Sequence, residues 1–560
     1  MLNRLFLQLV ETEKMKNILY LFVLILIASC SSKKLHTDLL VKNATIYTVN
    51  ENFEKAEAFV VKAGKIEEVG KLQDLVNKYD FADVYDAKNQ TIIPGIIDAH
   101  AHLMYLGISL QQVDLTGTNS YEEVLKRVLD FQKKNKTAYL IGRGWDQNDW
   151  TIKEYPTKKE LDSLFPDLPV SLERIDGHAM IVNSKALNLA KINSETNIPG
   201  GKVILVEGEP SGLLIDTPMQ LVWDTYPKKD KDFYIKALKD AEKKCLSFGL
   251  TTIDEAGIDR ATITLMDSLQ RSGDMALRIY AMITKDKEDL TYFLNKGIIK
   301  TDRMNVRSVK IWADGALGSR GAAMRKHYSD QEGQHGTMIT TEKELDSLAR
   351  MIVKAGYQMN THAIGDSANI TVLRVYSESV KNQKDPRWRV EHAQIVSPSD
   401  FSYFSKKIIP SIQPSHATSD MYWVEDRVGS HRLMGAYSYK TLLKKSGLVA
   451  LGTDFPIEKV NPMHTFYAAV ARKDIENYPE NGFRKEEGLS REETLKGMTI
   501  WAAYSNFEEN EKGSIEKGKF ADFVVLDQNI MTVSEKEIPT IKVVANFING
   551  EMVYDLSKKQ

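Results

Sequence analysis

The sequence predicts an α/β chain built on a closed (β/α)8 (TIM) barrel, with a composite β-sandwich formed from both termini and a large insertion after the first barrel strand. Three observations carry this. First, eight short apolar runs recur, most leading into polar residues: "IIPGIIDAHAH", "TTIDEAG", "LRIYAMI", "VRSVKIWADG", "YQMNTHAIGD", "WRVEHAQ", "IIPSIQPSH" and "LVALGTDFP". Second, most are separated by stretches of helical period such as "TEKELDSLARMIVKAG", and short buried strands alternating with amphipathic helices are the pattern of a parallel sheet that eight strands close. Third, "DLLVKNATIYTVN" and "EAFVVKAGKIEEVG" near the start resemble "KGKFADFVVLDQN" and "VVANFINGEMVY" near the end. All four are short β runs broken by Gly, Asn and Asp, and Asn-Gly is a hairpin signal.

Taken in order, residues 1–30 read as a signal segment: from Met15, an alternative start, a lysine precedes about a dozen apolar residues and then small ones. "IASC" resembles a bacterial lipobox, which makes Cys30 the lipidation site and predicts export to the cell envelope with a membrane partner through that anchor. Residues 38–92 form the first part of the sandwich and 93–102 the first barrel strand. Residues 103–247 are an excursion far beyond the usual crossover length, so they must carry structure of their own and stand over the catalytic face. Residues 248–505 complete the barrel and 513–560 the sandwich.

Composition narrows the partners. The 560 residues are 42% hydrophobic and 27% charged, which excludes wholesale disorder, and a formal charge of -2 with no long basic run excludes nucleic acid. A small-molecule substrate is expected, and a homo-oligomer is left open. Cys245 is the one cysteine besides Cys30. With Cys30 acylated it has no disulfide partner, and its setting between helix and strand suits a buried structural thiol.

The chemistry-bearing residues fall at the carboxyl ends of the predicted strands, where barrels of this kind place their sites. They are His100 and His102 on the first, Lys310 and Asp314 on the fourth, His362 on the fifth, His392 on the sixth and Asp454 on the eighth. Because strand side chains alternate, His100 and His102 point to one side, and imidazole is a good ligand for zinc and similar divalent metals.

Together "PGIIDAHAHL", "HAIGD", "EHAQ" and "GTDFP" resemble the strand signatures of the amidohydrolase superfamily, across nearly the whole chain from about residue 38. "VKIWADGALGSRGAA", "RIDGHAMIVNSKAL" and "EGEPSGLLID" resemble the amidohydrolase 3 branch that contains the N-substituted formamide deformylases. The resemblance implies a divalent metal pair, two zinc ions with manganese or iron open. His100, His102 and Asp454 would hold one ion, His362 and His392 the other, and a Lys310 carboxylated on its amine would bridge them.

It also implies cleavage of a non-peptide carbon–nitrogen bond by metal-activated hydroxide, since a divalent metal lowers the pKa of bound water to roughly 7. Asp454 would serve as both acid and base. His178, oriented by Asp176, is the candidate oxyanion donor, although "DGH" also reads as a turn capped by Asp176. Trp145, Asp146, Trp150 and Arg320 are candidate substrate contacts, with core packing the alternative for the tryptophans. Two other readings stand beside this one: a deaminase with a single metal on the same scaffold, and a surface lipoprotein that binds a ligand without turning it over. Deaminases of this fold usually carry a glutamate three residues past the fifth-strand histidine, where this chain has Gly365.

Overall fold

The structure is a computed structural model that describes Met15 and residues 34–199 and 201–558. Apart from Met15, the expected signal segment, and with it Cys30, the expected lipidation site, lies outside the described residues. Among those residues, no helix is long and apolar enough to cross a membrane.

Eight parallel strands form the predicted barrel sheet in sequence order: β1 (Ile96–Ala101), β2 (Leu250–Ile258), β3 (Arg278–Ile283), β4 (Met304–Trp312), β5 (Gln358–Ala363), β6 (Trp388–His392), β7 (Ile408–Ile412) and β8 (Ala450–Leu451). Their residues are almost all buried, as expected of strands with one face on the barrel core and the other under helices. Helices such as Arg260–Ser272, Glu342–Lys354 and Asp366–Val380 provide the crossovers. The first two start at Asp259 and Thr341, whose side chains accept from the backbone N–H three residues on, a standard N-cap.

The seam between β8 and β1 is closed by side chains as well as by backbone. Asp454 N–H donates to His100 O at 2.8 Å and His102 N–H to Phe455 O at 2.9 Å. The buried Asp98 carboxylate accepts from Thr453 N–H (2.9 Å), the Thr453 hydroxyl (2.7 Å) and His100 N–H (3.2 Å). The acidic residue in the first strand signature is therefore a clasp across the seam. Gly452 permits the approach, because a Cβ there would lie 2.5 Å from His100 N. Asp98→Ala is expected to cost about 1–3 kcal/mol by orphaning the buried Thr453 donors, while Asp98→Asn keeps an acceptor and costs less; urea unfolding of the two variants checks the order.

Segments from both ends of the described chain meet in one eight-stranded sheet ordered 551–555, 543–548, 523–526, 79–94, 35–47, 58–62, 65–70, with the short strand 55–56 paired to 35–47 off this path. It curls over its own core: Phe59 packs edge-on against Phe523 and Phe523 stacks on Phe547, with ring centroids 5.1 and 4.3 Å apart. The edge strand 65–70 meets the returning chain through Ile66 N–H to Lys519 O at 2.9 Å. Arg278 at the start of β3 forms a buried ion pair with Asp522 at 2.6 Å, tying this domain to the barrel.

The excursion after β1 contains a six-stranded sheet ordered 201–206, 209–216, 179–182, 170–174, 140–145, 113–114. Alternation along Ala179–Val182 sends Ile181 into one core and Met180 and Val182 into another. Cys245 is a free, fully buried thiol on helix Lys231–Ser247, with burial pushing its pKa well up.

Candidate metal centre

The carboxyl ends of β1, β4, β5, β6 and β8 bring distant polar residues together. His100 is the penultimate residue of β1, and His102 follows the strand by one residue. Their rings lie 5.6 Å apart, His100 and His392 are 4.9 Å apart, and His392 and His362 are 4.6 Å apart. Asp454 Oδ1 is 3.2 Å from His102 Nε2 and 3.7 Å from His100 Nε2. Lys310 Nζ is 3.0 Å from His100 Nε2.

Ligand atoms of His100, His392 and Asp454 all fall within 4.8 Å of one another. His102 and His362 stand beside this trio. His362 Nε2 faces Gly315 O and Asp314 Oδ1, each at 3.5 Å.

Backbone strain marks the same place. His392 (φ 70°) and Asp454 (φ 62°) adopt left-handed conformations, which cost roughly 1–3 kcal/mol each for residues with a Cβ and concentrate at functional sites.

Electrostatics suit a cation. Burial is the main cause that lowers His100 to about 4 and His362 to about 3, and burial also holds His392 well below the usual imidazole range. All three rings are neutral at pH 7 and present lone pairs. Burial works against charge on Asp454, yet the imidazoles of His102 and His416 outweigh it and hold the carboxylate well below its usual range. Asp454 Oδ1 is nonetheless buried without a hydrogen-bond partner. A neutral histidine pair beside a carboxylate oxygen that makes no hydrogen bond, with the His102 ring 3.2 Å away, is a donor set that fits a divalent metal.

Below the ordinary imidazole value of 6.5 an unfolded chain takes up protons that these buried rings refuse. These rings therefore withdraw stability from the metal-free protein as pH drops from 6.5 to about 4, against an opposite contribution from Asp98, Asp254 and Asp314, whose carboxyls burial raises to about 7. Thermal unfolding of wild type and His362→Asn against pH checks this: wild type should lose stability more steeply than the variant below pH 6.5, and parallel profiles contradict it.

Lys310 is fully buried, and burial lowers it to about 8. Among the described residues it forms no ion pair within 4.0 Å. Asp314, one possible partner, instead accepts from the backbone N–H groups of Ile364, Gly365 and Ala323 at 2.8–3.0 Å. Position 365 has no room for a side chain: a Cβ would sit 2.0 Å from Ala323 O.

The insertion residues and Arg320 are placed elsewhere. His178 is exposed, and its ring meets Asp216 at 2.8 Å. Asp176 accepts from His178 N–H at 3.0 Å and pairs with Arg174, so it caps the turn and does not orient the ring. Trp145 is fully buried, donating to Leu172 O at 2.7 Å and packing on Trp150. In this conformation it fills the insertion core and presents no face to a ligand. Asp146 caps residues 147–149 and pairs with Arg174. Arg320 pairs with Asp330 at 2.8 Å. None of these five shares a hydrogen bond, ion pair or ring contact with the histidine cluster among the described residues.

Sequence reasoning passed over the groups beneath and beside the ligands. Glu391 Oε2 meets His100 Nδ1 at 2.6 Å and so fixes the tautomer that leaves Nε2 free for a metal. Arg389 bridges Glu391 (2.8 Å) and Asp254 (2.7 Å), all of them fully buried. The available signal was two charges spaced by two inside the otherwise apolar run "WRVEH". His416, just past β7, contacts Asp454 Oδ2.

Residues 83–554 match the amidohydrolase family. The chain belongs to the amidohydrolase family. Within reach of this amidohydrolase are the Protein LONG AFTER FAR-RED 3 of Arabidopsis thaliana, 32% identical over 92% of this chain and 91% of that protein, and an N-substituted formamide deformylase of Arthrobacter pascens, 26% identical over 92% and 98%. An uncharacterized metal-dependent hydrolase from Pyrococcus horikoshii OT3 superposes on the amidohydrolase chain with a TM-score of 0.73 at 26% identity, covering 89% of this chain and 99% of that one.

Proposed function

We propose that the protein is a metal-dependent hydrolase of a non-peptide carbon–nitrogen bond in a small amide-like substrate, an N-substituted formamide being the leading candidate. The observation that carries this is the gathering of the neutral His100 and His392 around the buried Asp454 carboxylate, whose Oδ1 makes no hydrogen bond. The likeness to an N-substituted formamide deformylase, matched over 98% of that protein, supports the bond type.

His100, His392 and Asp454 would hold one divalent ion, with His102 and His362 adjacent. Lys310, once carboxylated, would contribute an oxygen donor beside His100 and extend the set to two ions. Such a cation supplies Lewis acidity, polarising a carbonyl and making water acidic near neutral pH. Asp454 Oδ1 is the proton acceptor for the attacking water and returns that proton to the leaving nitrogen, so one carboxylate acts as base and then acid. Glu391 keeps the His100 proton on Nδ1 throughout.

The deaminase reading lacks its glutamate, and Gly365 leaves no space for one. The test is to purify the protein, measure bound metal, and screen it against small amides, formamides and cyclic imides beside His392→Ala. Formamide cleavage that needs both the metal and His392 supports the proposal; a wild-type protein that takes up no divalent metal overturns it.

A further inference from the structure

In this barrel, β7 ends without a metal ligand of its own, yet the segment that follows touches two ligands held by its neighbours. Gln413, buried at the end of β7, presents Oε1 to His392 Nδ1 at 2.7 Å. Three residues later, on helix Pro414–Asp420, His416 Nε2 lies 3.0 Å from Asp454 Oδ2. The other nitrogen of His416 lies 3.0 Å from Glu458 Oε1, and Ser419 from the same helix donates to that oxygen at 2.6 Å.

We infer that the end of β7 is a positioning element for the metal centre: Gln413 aims His392, and His416, braced by Glu458, holds one oxygen of Asp454 so that the other alone faces the ligand cluster. The inference rests on the metal reading of the site.

The geometry explains what the ligands alone do not. Both His392 and Asp454 have left-handed backbones, so each needs side-chain restraint to keep its aim. A free carboxylate can rotate to offer either oxygen or both. With Oδ2 engaged by His416, Oδ1 is left buried without a hydrogen bond, turned toward His102 and His100 at 3.2 and 3.7 Å. Gln413 Oε1 can only accept, so the proton of a neutral His392 sits on Nδ1, and Nε2 keeps its lone pair for the cluster. Glu391 does the same for His100 from beneath. His416 is therefore a positioning residue, acting through Asp454, and Glu458 acts through His416.

Zinc affinity measured by chelator competition, without substrate, is the test. For His416→Ala a loss of about 10–100-fold is expected, the usual cost of removing a partner that orients a ligand. His416→Gln, which can still donate to Oδ2, should recover much of it, and Glu458→Gln and Gln413→Leu should each weaken zinc in the same direction. If His416→Ala binds zinc as tightly as wild type, His416 does not position Asp454 for the metal and the inference fails. Should that variant not fold, unchanged zinc affinity in both Glu458→Gln and Gln413→Leu overturns it equally. A wild-type protein that binds no zinc or other divalent ion refutes the metal reading itself, a result distinguishable from either of these.

Discussion

Replacing Arg389 by methionine is expected to destabilise the protein by about 3–5 kcal/mol, the range for breaking a fully buried ion network by removing one partner. Arg389 lies inside the barrel between Asp254 (2.7 Å) and Glu391 (2.8 Å), and it also donates to Ser411 Oγ at 2.9 Å and to Ala99 O. Asp254 has one other polar support, Asn506 at 2.6 Å. Burial pushes Asp254 up to about 7 even with Arg389 present. Burial also opposes charge on Glu391, but Arg389 and His100 overcome it and keep Glu391 ionised.

Methionine fills similar space but leaves two carboxylates with no cation between them. Glu391 would then tend to take a proton, and its hold on His100 Nδ1 would weaken. The stability loss should thus come with weaker metal retention. Arg389→Lys keeps a charge but not the planar fork that serves both carboxylates, so it should fall between the two. Denaturant unfolding, with midpoint and slope both fitted, measures the effect; a change below about 1 kcal/mol would show that the pillar is dispensable.

Asp454→Asn should lower kcat by about 10²–10⁴-fold, the usual contribution of a positioned general acid–base group, and should reduce metal content as well. The amide keeps the size of the carboxylate and can still meet His416, so packing at the β8 end is retained. What it loses is the charge on Oδ1 and the capacity to take a proton. Assay of the variant on whichever substrate the screen identifies, after loading to the metal content of wild type, separates the two effects. If full metal loading restores full turnover, Asp454 is a ligand only and the proton is handled elsewhere.

Both experiments act on residues that differ in how visible they were beforehand. His100, His102, His362, His392, Lys310 and Asp454 stand at the ends of apolar runs, and strand ends facing one mouth are the one place where such residues meet. Local pattern therefore named them without any tertiary knowledge. Arg389 and Glu391 were printed in the same run as His392 but read as part of the strand. Whether a charged residue inside a strand is satisfied depends on what faces it across the barrel, and Asp254 and His100 lie 135 and 291 residues away.

The insertion shows the converse. Asp176, His178 and Trp145 sit in motif-like surroundings, yet their partners are Arg174, Asp216 and Trp150 in the same insertion. Aromatic and charged spacing there reflects a small domain building its own core.

The amino-acid sequence alone determined the period-two and helical alternation, hence the order and direction of the barrel strands, and which side chains end each one. These are local properties, set by steric and hydrophobic preferences over a few residues. Only the tertiary structure decided that Asp98 clasps the β1–β8 seam, that Arg389 neutralises two carboxylates beneath the ligands, and that His416 restrains Asp454. Those are pairings across the closed sheet, and their energies depend on distance and burial that no linear pattern records.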